Sequence, residues 1–271
     1  FLLVKNSLFF NFLKKKLEKN KNFSRKILLD SFNLSNLLNS KYDLIINSES
    51  NNILSKKFFS KRIKKNYNSE AITTIINHEA NNNETAFQIF TKLGPLAFLP
   101  YSKYQTSIVF SYNKPNIKIS DSDIKILISN YNKFYKINSF SVFEKFNLNF
   151  STSKNYYHNN LLCFSDNLHK IHPLAGQGFN MTLRDIKKLS QIIDERINLG
   201  LPLDSFVLRE FCNNTKHLNQ LFSTGIDLIY EFFKLENKID NNYANQFVKY
   251  FANNKFFKNQ VPKFADKGLF F

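Results

Sequence analysis

Cysteine is scarce in this chain: Cys163 and Cys212 are the only two among 271 residues, and their spacing fits no metal-ligand pattern. That scarcity excludes a disulfide scaffold and makes a reducing compartment the expected setting. Long apolar runs are missing as well. No stretch approaches the roughly 20 residues that a bilayer-crossing helix needs. Nor is a secretory leader expected, because Phe1-Leu2-Leu3-Val4 runs into a lysine-rich amphipathic stretch rather than a cleavage site. There is no internal repeat and no zinc-ligand spacing. The first residue is Phe rather than Met, which leads us to expect a fragment of a longer protein. Glycine and proline are few, six of each, so the places where they gather are informative.

Basic residues, by contrast, are in excess: 38 Lys+Arg against 21 Asp+Glu give a net charge of +17. The lysines are dispersed and accompany abundant Asn, Ile and Phe, the joint enrichment expected of AT-rich codon usage. No nucleic-acid partner is expected on this basis, although a basic face suits an anionic membrane surface. Hydrophobic residues make up 43% and aromatic residues 16% of the chain, enough for a folded core in one large or two small domains.

Residues 1–41 open with a helical pattern in which Leu8, Phe9, Phe12, Leu13 and Leu17 recur, with Lys14-Lys15-Lys16 on the other face. Lys41–Asn47 reads as a buried strand and Ser48–Asn52 as a loop. A short helix is expected near Ser55–Lys65. Ala71–Ile76 is β-branched and strand-like, Ala86–Thr91 alternates, and Gly94-Pro95 marks a turn. Leu96–Pro100 and Thr106–Tyr112 are further strands, so this region reads as an antiparallel set. Asp121–Tyr131 is a helix capped by Ser120 or Asp121. Phe140–Phe150 returns to strand, and Leu161–Asp166 is a buried strand. Beyond it, Leu183, Ile186, Leu189, Ile193 and Ile197 mark one face of a helix that ends at Gly200-Leu201-Pro202. Helices over about Ser205–Phe233 and Tyr243–Phe257 complete the chain.

The strand-loop-helix at Ser165–Asp185 carries the chemistry. It holds two of the six glycines and two of the five histidines. The strand brings Asp166, a hydrogen-bond acceptor for ligand hydroxyls, to its carboxyl end. Gly176 and Gly178 remove side chains where a flat ligand can lie against the backbone. The helix beginning near Gly178–Asn180 directs N–H groups and a positive dipole end at that ligand. A ligand that gains negative charge during reaction is stabilised there, as a reduced flavin would be along its N1–C2=O edge.

His172-Pro173-Leu174-Ala175-Gly176-Gln177-Gly178-Phe179-Asn180, followed by Arg184-Asp185, resembles the signature of the ubiquinone-biosynthesis FAD-dependent hydroxylases, of the aromatic-hydroxylase class of flavin monooxygenases. Their pattern is Gly-Asp-Ala-Ala-His, then His-Pro-(apolar)-Ala-Gly-Gln-Gly-x-Asn-x-Gly-x-x-Asp. Phe90–Pro100 resembles their Phe-Thr-Pro-x-Gly-Pro-Leu-Ala-Leu-Leu-Pro strand pair, Lys41–Ser50 a worn copy of their Asp-Leu-Val-Val-Gly-Ala-Asp-Gly, and Ala265–Gly268 their tail. The departures are Ser165 for Gly, Asn167 and Leu168 for two alanines, Thr182 for Gly, and Glu49-Ser50 for Asp-Gly. The family's opening βαβ unit with its Gly-x-Gly-x-x-Gly has no counterpart here.

The resemblance implies a mixed α/β fold: the FAD-binding aromatic-hydroxylase fold lacking that N-terminal unit, with an antiparallel substrate-domain sheet and C-terminal helices. The expected division is an FAD-domain remnant at 1–50, the substrate-domain sheet at 51–150, the return of the FAD domain at 151–200 and C-terminal helices at 201–271. By resemblance, Asp166 contacts the ribityl–pyrophosphate region of FAD. Pro173, Gly176 and Gly178 lie along the isoalloxazine ring, and Ala175, Gln177, Phe179 and Asn180 complete the cofactor-binding set. No general acid or base is assigned, and His169 and His172 are expected to shape the loop. The implied reaction uses O2 and an electron donor, NAD(P)H or ferredoxin-like, to form a flavin C4a-hydroperoxide. That species hydroxylates a polyprenyl-phenol type substrate. The further expectations are a cytoplasmic site, peripheral contact with the inner membrane and a ubiquinone-biosynthesis complex, with the fragment alone inactive. The rival is a non-catalytic scaffold of the same fold that binds FAD weakly or not at all.

Overall fold

The computed structural model describes residues 6–27, 37–38, 42–113, 119–171 and 177–236. The chain divides into two units, each made of two segments: residues 1–32 with 69–147, and 33–68 with 148–271. The helix expected at Tyr243–Phe257 lies outside the described residues.

In the first unit, α1 (Asn6–Glu18) forms as the helical spacing predicts, yet none of its residues is buried. The sheet is built from the part of β2 (Arg62–His78) beyond Ser69, with β3 (Phe87–Thr91), β4 (Gly94–Ser102) and β5 (Gln105–Asn113). Its order is β2-β5-β4-β3, all antiparallel, and β6 (Ile137–Phe140) pairs with β2 on its other edge. The helix α3 (Asp121–Tyr131) starts where Ser120 and Asp123 form a reciprocal capping box. It places Ile124 and Ile128 in a core with Ile72, Ile76, Phe98 and Phe110. Phe140–Phe150 is not one strand: β6 ends at Phe140 and β7 (Glu144–Ser153) begins after three residues outside any strand.

The reversal between β3 and β4 falls on Lys92-Leu93, with Gly94 and Pro95 already in β4. Thr91 organises it. Its Oγ1 donates to the Gly94 carbonyl at 2.7 Å and accepts from the Leu93 and Gly94 amides at 3.2 Å. Gly94 has φ +145°, and a Cβ there would stand 2.0 Å from the Ser111 carbonyl oxygen. The fold itself therefore requires this glycine.

In the second unit, β1 (Ile45–Asn47) pairs in parallel with β9 (Leu161–Cys163), and β8 (Tyr157–His158) pairs with β9 antiparallel. A second helix, α2 (Ile53–Phe58), follows an Asn52 cap. It is shorter than expected, because Arg62–Lys65 belong to β2 rather than to a helix continuing to Lys65. The run of alternating polar residues there has strand period, and Lys65 reaches α5 (Ser205–Glu236) through Asp227 at 2.9 Å and Glu231 at 3.0 Å. Leu161, Leu162, Cys163, Leu208 and Phe211 centre the core. α4 (Gln177–Asn198) packs beside α5. Its buried face runs through Met181, Asp185, Leu189 and Ile192, whereas Leu183, Ile186 and Ile197 are exposed. This corrects the apolar face read from the sequence: of its residues Leu189 is buried and Ile193 packs partly buried against the core, while the other three are exposed.

Candidate functional site

The loop at the end of β9 depends on a buried polar hub. Phe164 donates its amide to the Asn47 carbonyl at 3.0 Å, carrying the chain out of the strand. The expected strand through Asp166 stops early, and Ser165–Asn167 form a 3-10 turn. Ser165 takes φ +56°, a left-handed conformation that a Cβ disfavours. This is the position where the family pattern has glycine, so the backbone explains that glycine.

Asn167 is fully buried, and every polar atom of its side chain is engaged. Its Nδ2 donates at 3.0 Å to both the Asn47 carbonyl and Ser55 Oγ, while Oδ1 accepts from Arg62 Nη1 at 3.2 Å. Arg62 also donates from Nη2 to the Asn167 carbonyl and from Nε to Ser151 Oγ at 2.7 Å. Burying an amide is unfavourable unless it is paired in this way. Positions 47, 55, 62, 151 and 167 share no motif or spacing, so nothing in the sequence signals this hub. The neighbouring Cys163 is wholly buried, and burial pushes its thiol up to about 11. A low thiolate population argues against a nucleophilic role for it.

Leu168 closes the turn through its amide to the Ser165 carbonyl at 2.8 Å. Next comes β10 (His169–Lys170), paired with Thr152 and Ser151 of β7. His169 is buried, and its Nε2 lies 2.7 Å from Asp185 Oδ2 in α4. Asn219 of α5 donates from Nδ2 to both Asp185 oxygens, at 3.0 and 3.3 Å. Burial first, and then the Asp185 carboxylate, push the Tyr156 hydroxyl upward.

The expected cofactor-binding residues fall into three groups. Asp166 lies exposed in the turn after β9. Gln177, Gly178, Phe179 and Asn180 form the first turn of α4, with Gln177 buried and Phe179 and Asn180 exposed. Pro173, Ala175 and Gly176, together with His172, lie outside the described residues. The first turn of α4 contains no acidic side chain to offset the positive end of the helix dipole. Thr182, in place of the family's glycine, turns its hydroxyl back to the Gly178 carbonyl at 3.4 Å.

Two observations test whether this site suits a ligand. Among the described residues, a Cβ added to Gly178 would meet the Ile171 side chain alone, at an ordinary 3.7 Å, so their packing does not demand glycine there. The buried side-chain atoms without a hydrogen-bond partner, among the described residues, are His169 Nδ1, Gln177 Oε1 and Arg184 Nη1. They belong to residues eight before, at and seven after the start of α4. Arg184 stacks on the Phe222 ring with its guanidinium 4.4 Å from the centroid, and desolvation lowers its pKa.

No protein-family model matches the chain. Among curated proteins, the ubiquinone biosynthesis monooxygenase COQ6 of Caenorhabditis elegans is 25% identical over 215 residues, covering 63% of this chain and 48% of that protein. The 3-demethoxyubiquinol 3-hydroxylase of Escherichia coli is 27% identical over 158 residues, 55% of this chain and 40% of that one. The chain spans about half the length of the curated relatives it matches. Among solved structures, p-nitrophenol 4-monooxygenase PnpA of Pseudomonas putida superposes with a TM-score of 0.63 at 10% identity, over 83% of this chain and 59% of that one. PqsL of Pseudomonas aeruginosa, described as a probable FAD-dependent monooxygenase, gives a TM-score of 0.53 at 13% identity, over 76% of this chain and 59% of that one. In sequence this chain is similar to ubiquinone-biosynthesis monooxygenases, and in architecture it shares the fold of PnpA and PqsL.

Proposed function

We propose that this chain supplies the flavin-ring half of an FAD-dependent hydroxylase acting on a polyprenylated aromatic ring. Gly178 is the observation that carries the reading. A glycine within a helix costs roughly 0.5–1 kcal/mol relative to alanine. Here neither φ nor a close neighbour among the described residues requires it. A ligand passing close to the backbone accounts for it.

In this reading Gln177, Gly178, Phe179 and Asn180, with Pro173, Ala175 and Gly176, hold the ring, and Asp166 accepts from the ribityl hydroxyls. FAD, when bound, supplies the redox chemistry: it takes electrons from NAD(P)H or a ferredoxin-like donor and activates O2 for transfer of one oxygen atom to the substrate. The residues of this chain bind and orient the ring, and the α4 dipole stabilises negative charge on it. A polyprenyl substrate implies contact with a membrane surface or with a ubiquinone-biosynthesis complex. The exposed Leu8, Phe10, Phe12 and Leu17 of α1, beside Lys14–Lys16, suit an anionic bilayer. No helix among the described residues is long and apolar enough to cross a membrane.

One observation favours the scaffold reading. Where the family has Asp-Gly, Glu49 spends its carboxylate on its own turn, accepting from the Asn51 amide at 3.0 Å. Purification of the complete gene product separates the two. The hydroxylase reading expects a yellow protein carrying about one flavin per chain. A colourless protein that takes up no added FAD would overturn it and leave the scaffold.

A further inference from the structure

The pair His169–Asp185 ties β10 to α4, whose first turn carries Gln177–Asn180. His169 is in β10, two residues before Ile171; Asp185 is in α4, eight residues after Gln177. Both are at most 2% exposed, and their side chains meet at 2.7 Å. Asp185 lies on the buried face of α4 between Met181 and Leu189. A carboxylate in that position is expensive unless its oxygens receive hydrogen bonds. They receive them from a strand, through His169, and from a second helix, through Asn219. One carboxylate thus joins β10, α4 and α5.

The geometry also sets the state of the ring. A carboxylate oxygen facing Nε2 requires a proton on Nε2. In the neutral ring Nδ1 is then a bare acceptor, and it has no partner. Ile171, next along the chain, already touches the position where a Gly178 side chain would begin.

We infer that Asp185 is a positioning residue: through His169 and Asn219 it fixes the first turns of α4 against β10, and so fixes the backbone that receives the flavin. It holds the His169 ring in the Nε2–H tautomer, with Nδ1 left as an acceptor. The tie itself rests on the geometry of this chain; only its effect on flavin rests on the hydroxylase reading.

The test uses the complete gene product and the variants Asp185→Asn, His169→Leu and His169→Gln. The readouts are hydrogen–deuterium exchange of the amides of residues 177–183, the 15N spectrum of the labelled histidines, and FAD titration. The wild type shows the Nε2–H tautomer for His169. Loss of a charge-assisted hydrogen bond in Asp185→Asn or His169→Leu raises exchange in the first turns of α4 about tenfold and weakens FAD binding about tenfold. His169→Gln, whose amide still donates to Asp185, stays within about threefold of wild type on both.

Unchanged exchange in folded Asp185→Asn and His169→Leu, or an Nδ1–H tautomer in the wild type, overturns the tie. So does a His169→Gln variant as impaired as His169→Leu. Should Asp185→Asn fail to fold, the wild-type tautomer and the two His169 variants still decide. Absence of FAD binding in the wild type sinks the hydroxylase reading alone, because exchange and tautomer are measured without flavin.

Discussion

Gly94 and Gly178 stand in the two motifs that link this chain to flavin hydroxylases, yet they are glycines for opposite reasons. Gly94 sits in the antiparallel sheet with φ +145°, and a Cβ there would collide with the backbone of Ser111. The demand comes from inside the protein. Gly178, at the start of α4, has an ordinary φ and room for a methyl group. In the hydroxylase reading we propose, its demand comes from the ligand. On that reading one residue type, in two recognisable motifs, reports on folding in one unit and on ligand approach in the other.

The same substitution should therefore have opposite consequences. Gly94→Ala is expected to destabilise by about 3 kcal/mol or more, through strain at a left-handed φ and a displaced β5 backbone, measured by urea unfolding. Equal stability of wild type and variant would break the contrast at its first arm. Asn167→Ala sharpens the view of the second unit. It strips partners from Arg62, Ser55 and the Asn47 carbonyl and should cost about 2–3 kcal/mol in the same assay. Ser165→Gly runs the other way. It relieves a side chain held at φ +56° and should stabilise by about 1 kcal/mol, seen as a raised Tm. Gly178→Ala has the smallest effect on stability, an increase of about 0.5 kcal/mol, while weakening FAD binding about tenfold in a fluorescence titration. A loss of stability at Gly178 comparable to that at Gly94 would erase the distinction.

Local chemistry made part of this readable in advance. Of the two caps offered for α3, Ser120 and Asp121, Ser120 is the one used, and the strands of the first unit follow from alternation and β-branching. The 53–65 region misled because Ser55–Lys65 mixes lysines and phenylalanines that suit a helix, whereas cross-strand pairing from Arg62 onward decides the outcome. The face of α4 misled for a different reason. Leu183 and Ile186 are apolar but exposed, while the charged Asp185 is buried, because its partners arrive from residues 169 and 219. The helix expected to begin near Gly178–Asn180 does begin there, at Gln177. The hub that shapes the Asp166 turn was invisible, since its members are scattered from Asn47 to Asn167 and only folding assembles them.

The parallel pairing of Ile45–Asn47 with Leu161–Cys163 has a consequence for how the protein is made. On the ribosome β1 emerges more than a hundred residues ahead of β9. Until Leu161 leaves the exit tunnel, the apolar Ile45 and Ile46 have no strand to lie against, while the contiguous segment from Ser69 to Asn147 can already close its own sheet. During that interval the nascent chain displays a bare strand, and a chaperone that shields short apolar edges would be most needed then.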